Sequence, residues 1–81
     1  MFVSVQFHGT QRTITGVHEM RLPLPKLGRA GDILGHLRTL FPDIPLNEKE
    51  ITVSINNKIS TMNHTLNPGD NVSFLPHIGG G

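Results

Sequence analysis

The residues with the clearest chemical use stand at the end of the chain. Gly79-Gly80-Gly81 follows directly on a strand-like run, Val72-Ser73-Phe74-Leu75-Pro76-His77-Ile78. Three glycines bring no side chain to bury and lose the most backbone freedom on ordering. They suit a different purpose, a bare carboxylate at the tip of a thin thread that can pass through a narrow channel. The pattern predicts a protein whose working group is its own C-terminal carboxylate. A frayed end is the plain alternative. The other reactive residue types are scattered. His8, His18, His36, His64 and His77 form no pair at i, i+3 or i+4 on one helix, so ordinary imidazoles and no metal site are expected. Asp70 follows Pro68-Gly69, where an aspartate bonds nearby turn N–H groups. Ser4, Ser54, Ser60 and Ser73 have no histidine–carboxylate constellation around them, and nucleophilic catalysis is not expected. The glycines are not a phosphate loop, since no strand-to-helix junction and no Lys-Ser/Thr pair follows.

The elements that would position this tail can be read from periodicity. Phe2 to His8 alternates, with Val3, Val5 and Phe7 on one face and Phe2, Ser4 and Gln6 on the other. Gly9 to Thr15 reads as a polar turn. After Gly16 the alternation resumes with Met20, Leu22 and Leu24, a second strand antiparallel to the first. Pro23 lacks an N–H and predicts a sheet edge or a strand end there. The period then changes. Ala30, Ile33, Leu34, Leu37 and Phe41 make one apolar stripe on a helix, with Leu40 at its border. Asp32 suits the first turn, and Pro42 stops the helix. Gly35 lies inside it at a cost of about 1 kcal/mol relative to alanine, and close packing against a strand is the expected reason. Arg38 falls opposite the stripe and reads as solvated. Ile51, Val53 and Ile55 form a third strand, Asn56-Asn57 a turn, and Lys58 to Leu66 an irregular stretch. Asn67-Pro68-Gly69-Asp70 is a turn that launches the last strand, Asn71 to Leu75, with Val72 and Phe74 inward.

Strand, strand, helix, strand, strand is an α+β order. One mixed sheet of about four to five strands on one main helix closes a single core. With the first and last strands as central neighbours it would be a β-grasp, or ubiquitin-like, domain, although periodicity alone does not fix that order. The expected division is a domain over residues 1–78 and a glycine tail over 79–81.

The bulk properties limit the alternatives. Eighty-one residues with 36% hydrophobic and 16% charged side chains make one small soluble globule. The lack of cysteine excludes thiol catalysis and thiolate metal sites on this chain, and suits a reducing cytosol. The net charge is +1 and the seven Lys and Arg are dispersed. With no basic run or stacking platform, no nucleic-acid partner is expected. No apolar run reaches spanning length, so no membrane partner is expected, and a cytoplasmic location is.

The C-terminal third carries a recognisable pattern: Ile55-Asn56-Asn57, Leu66, Pro68-Gly69-Asp70, Val72, Phe74-Leu75-Pro76 and the glycines. It resembles the ubiquitin-like sulfur carriers, closest to the small subunit of molybdopterin synthase. Weaker similarity covers the opening strand, Arg12 and Gly16, and Gly31-Asp32-Ile33-Leu34 through Phe41-Pro42. Pro76, His77 and Ile78 take the family's Pro-Pro-aliphatic places, so His77 replaces a proline. Gly79 sits where a small residue is common, and Gly80-Gly81 is the terminal pair.

The resemblance implies a cycle. A ubiquitin-activating-like adenylyltransferase uses ATP to convert the Gly81 carboxylate into an acyl-adenylate. Sulfur replaces AMP to give a thiocarboxylate. The large subunit of a molybdopterin synthase, or another acceptor enzyme, then takes that sulfur. The chain itself binds no cofactor tightly. It acts as a substrate of partner enzymes, with Gly80 and Gly81 at the reacting end. Phe2, Leu75, Pro76, His77, Ile78 and Gly79 are the candidate partner contacts, although Phe2 could equally cap a second side of the core. Sulfur carriage for thiamine or an amino acid, protein modification through Gly81, and a non-transferring binding module remain open.

Overall fold

The structure, a computed structural model, describes residues 1–76. The expected division at residues 78 and 79 lies outside them. Alternation makes the strands. β1 (Phe2–Gln6) turns Val3 and Val5 inward, and β2 (Glu19–Pro23) buries Leu22. β3 (Ile51–Ile55) buries all three of its apolar positions, and β5 (Asn71–Pro76) buries Val72 and Phe74. A short β4 (Lys58–Ser60) completes a five-stranded sheet in the order β2-β1-β5-β3-β4. β1 and β5 run parallel at its centre, and the other pairs are antiparallel. This is the β-grasp order. β2 is an edge strand, so the missing N–H of Pro23 leaves the ladder to β1 intact.

The helix α2 (Ala30–Leu40) lies across one face of the sheet. Its stripe of Ala30, Ile33, Leu34 and Leu37 is fully buried among Val3, Val5, Leu22, Val53, Val72 and Phe74. Asp32 supports the first turn, its Oδ2 accepting the Arg29 N–H at 2.8 Å. Phe41 ends the helix half-buried, its ring edge-on to Phe7 with centroids 6.4 Å apart. The other face of the sheet is left uncovered by these elements.

Four expectations are corrected. Gly9 to Thr15 is not a simple turn, because Thr10–Thr15 forms a helical turn and a half, α1. Gly9 makes this possible at φ 54 and ψ −125, a conformation that side-chain-bearing residues avoid. Lys58 to Leu66 is not wholly irregular, since β4 pairs with β3 around the Asn56-Asn57 turn, both asparagines at positive φ. Gly35 does not mark a close approach. A Cβ there would meet nothing within 4 Å, and the position opens on a groove of about 730 Å³ beside Leu22, Pro23 and Pro25. Within α2 the tight glycine is Gly31, where a Cβ would stand 3.3 Å from the Met62 carbonyl oxygen. Finally, Arg38 is not simply solvated. Its Nη2 donates to the Leu46 carbonyl at 2.8 Å and ties the segment after α2 to the helix.

Two substitutions separate these roles in urea unfolding. Leu37→Ala opens a cavity at a fully buried position and is expected to lower stability by about 2–5 kcal/mol. Gly35→Ala fills open space on a helix and is expected to raise it by up to about 1 kcal/mol.

Candidate functional site

The candidate site is the end of β5 and whatever holds it. The strand begins at a fixed point. Asp70 is buried, its Oδ2 accepting the Asn67 N–H at 2.8 Å and its Oδ1 the Asn56 side-chain amide at 3.0 Å. The Asn56 Oδ1 in turn accepts the Asn71 N–H at 3.0 Å. One carboxylate therefore joins the turn before β5 to the turn after β3. This is the backbone-bonding role expected of an aspartate in that position.

From there β5 runs between two partners that end at different points. β3 accompanies it through the pair Ile51 and Pro76. β1 accompanies it only as far as the pair Gln6 and Ser73. Beyond that pair the neighbour of β5 is α1. Gln11 of α1, 6% exposed, donates from Nε2 to the Phe74 carbonyl at 2.8 Å, and its Oε1 accepts the His8 N–H at 3.2 Å. His8 Nε2 and Ser73 Oγ form a further hydrogen bond of 3.1 Å. A cleft of about 380 Å³ lies beside this junction, bordered by Gly9, Thr10, Gln11, Pro45, Ile51 and Pro76. Sequence reading had no signal for Gln11. A glutamine in a short polar stretch reads as solvated, and only tertiary placement buries it.

The candidate contact residues do not form one cluster. Leu75 is half-buried on the uncovered face opposite Thr52, and Pro76 is exposed beside Ile51. Phe2 is on the uncovered face too, 51% exposed, with the Arg21 guanidinium 4.9 Å from its ring centroid. It caps no second core. It also lies four residues before Gln6, while Leu75 lies two after Ser73, which puts the two roughly 20 Å apart along the strands. A residue not singled out from the sequence shares the face of Leu75: Ile59 of β4, 72% exposed and registered against Ser54. Its three-residue strand is too short for alternation to reveal. His77, Ile78, Gly79, Gly80 and Gly81 lie outside the described residues.

Among the described residues no group of three or more His, Asp or Glu side chains is placed to hold a metal. None of their helices is long and apolar enough to cross a membrane.

A β-grasp domain whose central strand leads to a terminal glycine run defines a ubiquitin-like class of proteins. The family model described as the ThiS family matches residues 5–81. The chain belongs to that family of ubiquitin-like sulfur carriers. Solved structures agree on the fold. A molybdopterin converting factor subunit 1 from Pyrococcus furiosus superposes with a TM-score of 0.82 at 20% identity, over 95% of this chain and 98% of its own. The H. volcanii small archaeal modifier protein 1 gives 0.80 at 17%, over 95% and 98%. Subunit 1 of the molybdopterin-converting factor of Helicobacter pylori, solved in complex with subunit 2, gives 0.65 at 21%, over all of both chains.

Asp70→Ala would strip the Asn67 N–H and the Asn56 amide of their acceptor. A loss of about 1–3 kcal/mol is expected, measured by urea unfolding, with amide exchange rising first in residues 67–72.

Proposed function

We propose that this protein is a sulfur carrier whose Gly81 carboxylate is activated by a partner enzyme and converted to a thiocarboxylate. The observation that carries this reading is the placement of β5. A central strand, paired on both sides and pinned at Asp70, ends at Pro76 at the sheet's end, and residues 77–81 follow it to Gly81. The family match continues through that residue.

The chemistry follows from the carboxylate. It is a poor electrophile, so a leaving group must be supplied. A Gly81 oxygen attacks the α-phosphorus of ATP and pyrophosphate leaves. The acyl-adenylate then takes a sulfur nucleophile at hydrosulfide level, delivered by a partner, and AMP departs. The activated carbonyl must be kept from water during these steps, so they belong inside the partner. A chain end without β-carbons can reach such an enclosed site. In this reading the general base and the oxyanion hole belong to the partner, and the sheet of this chain is what the partners recognise. Leu75 and Pro76 are assigned to that contact with His77, Ile78 and Gly79, on the strand end nearest the chemistry. Phe2, at the other end of the sheet, is assigned a separate contact.

The acceptor favoured is a molybdopterin or tungstopterin precursor. The Phe74-Leu75-Pro76 lead-in and the likeness to two converting-factor subunits support this choice, and the Helicobacter pylori complex supports a large-subunit partner. A second reading, protein modification through the same activated Gly81, is favoured by the likeness to the archaeal modifier. Both readings share the first step.

Deleting Gly81 is expected to abolish ATP–pyrophosphate exchange with the activating enzyme while leaving the unfolding midpoint unchanged. Exchange at the full rate in the shortened chain would show that another group is activated.

A further inference from the structure

β5 is an incomplete central strand. On its β3 side the ladder is continuous to Pro76, but on the other side β1 departs after Gln6. A strand that emerges from a sheet with one side unpaired can fray from that side, and its unpaired carbonyls must find another donor or water. At Phe74 water is not the partner, because the carbonyl is buried and receives the Gln11 amide at 2.8 Å. Pro76, the next residue on the same side of the strand, has no N–H to satisfy. One side chain therefore completes what the missing strand would have supplied.

Gln11 is suited to this by its own fixation. Its carbonyl oxygen is held by the His8 N–H, which orients the amide so that the donor faces β5. The sharp turn at Gly9 is what brings α1 back over the strand. His8 adds a second, exposed link to Ser73. The two links meet β5 at consecutive residues, Ser73 and Phe74, directly before the outward-facing Leu75 and the exit at Pro76. No other contact described in this segment explains why a glutamine is buried in a helix of six residues.

We infer that Gln11 is a positioning residue for the C-terminal strand: it locks the Phe74 carbonyl and so fixes the position and direction of the strand end at Pro76. This inference rests on the carrier reading above for its functional consequence, while the mechanical part stands without it. An activating enzyme that must thread Gly81 to its ATP site benefits from a fixed strand end. If that end is correctly placed only part of the time, apparent affinity falls by the same fraction and the chemistry, once engaged, does not change.

The test uses the full chain and two variants. Gln11→Met keeps the volume and removes both polar atoms. Gln11→Glu keeps an acceptor for His8 and, ionised, loses the donor to Phe74. Amide hydrogen exchange is followed at Leu75, with Val5 and Leu37 as references in the core. In both variants the protection of Leu75 is expected to fall about tenfold with the references unchanged. Unchanged protection at Leu75, or an equal loss at all three amides, overturns the inference. In ATP–pyrophosphate exchange with the activating enzyme, KM for the carrier is expected to rise about tenfold at constant kcat. A fall in kcat at constant KM, or no change in either, overturns the functional part. A wild-type chain that supports no exchange at all counts against the carrier reading and its consequence for Gln11, and the amide measurement still decides whether Gln11 locks the strand.

Discussion

The parallel pairing of β1 with β5 is the contact on which the rest of the molecule depends. It joins the first and last strands of the described chain, Ser4 to Asn71, Val5 to Val72 and Gln6 to Ser73. Such a pair is costly to form because a long loop must close before it is rewarded. Its stability comes from what it buries. Val5 and Val72 are wholly inaccessible, and Ile33, Leu34 and Leu37 of α2 pack over the same core. β2 and β3 flank the pair by antiparallel contacts, and β4 joins β3 through a two-residue turn.

The same pairing sets the position of the strand end that the proposed function uses. A terminal strand at a sheet edge could peel away when pulled. A terminal strand at the centre, held by β1 along its first half and by β3 from Val72 to Pro76, can present its continuation to another protein without loss of the fold. The uncovered face supports this division. Its central rows are small and polar, Ser4, Gln6, Ser54 and Ser73, with apolar groups only towards the margins at Phe2, Leu75 and Ile59. That face suits successive, reversible partners better than a permanent one, since permanent interfaces are more apolar at their centres. In the proposed reading, the domain acts by being recognised and the reactivity belongs to the chain end.

Much of this was legible in the sequence because it rests on local periodicity. The stripe from Ala30 to Leu37, the alternation in β1, β3 and β5, and the turn at Asn67 to Asp70 each follow from residue type and spacing. The resemblance in the C-terminal third then supplied the strand order that periodicity leaves open. What escaped was tertiary in origin. Gln11 is polar, sits in a segment too short to show a helical period, and is buried only because β1 stops early. Ile59 lies in a strand of three residues. Gly35 looked like a packing glycine, yet within α2 the close approach is at Gly31, and which helix glycine meets a neighbour depends on how α2 is rotated against Met62. Arg38 is opposite the apolar stripe as expected, but the chain after Ile44 returns past it and offers the Leu46 carbonyl.

The sulfur-carrier mechanism makes one covalent statement about this chain, that oxygen is exchanged for sulfur at its last carbonyl. Intact-mass spectrometry of the protein purified from its native cell, followed by fragmentation of the C-terminal peptide, reads that directly. A population in which a single oxygen is replaced by sulfur, mapped to Gly81, is the expected result. Gly81 present only with its oxygen intact, in cells whose sulfur transfer depends on this protein, would contradict it.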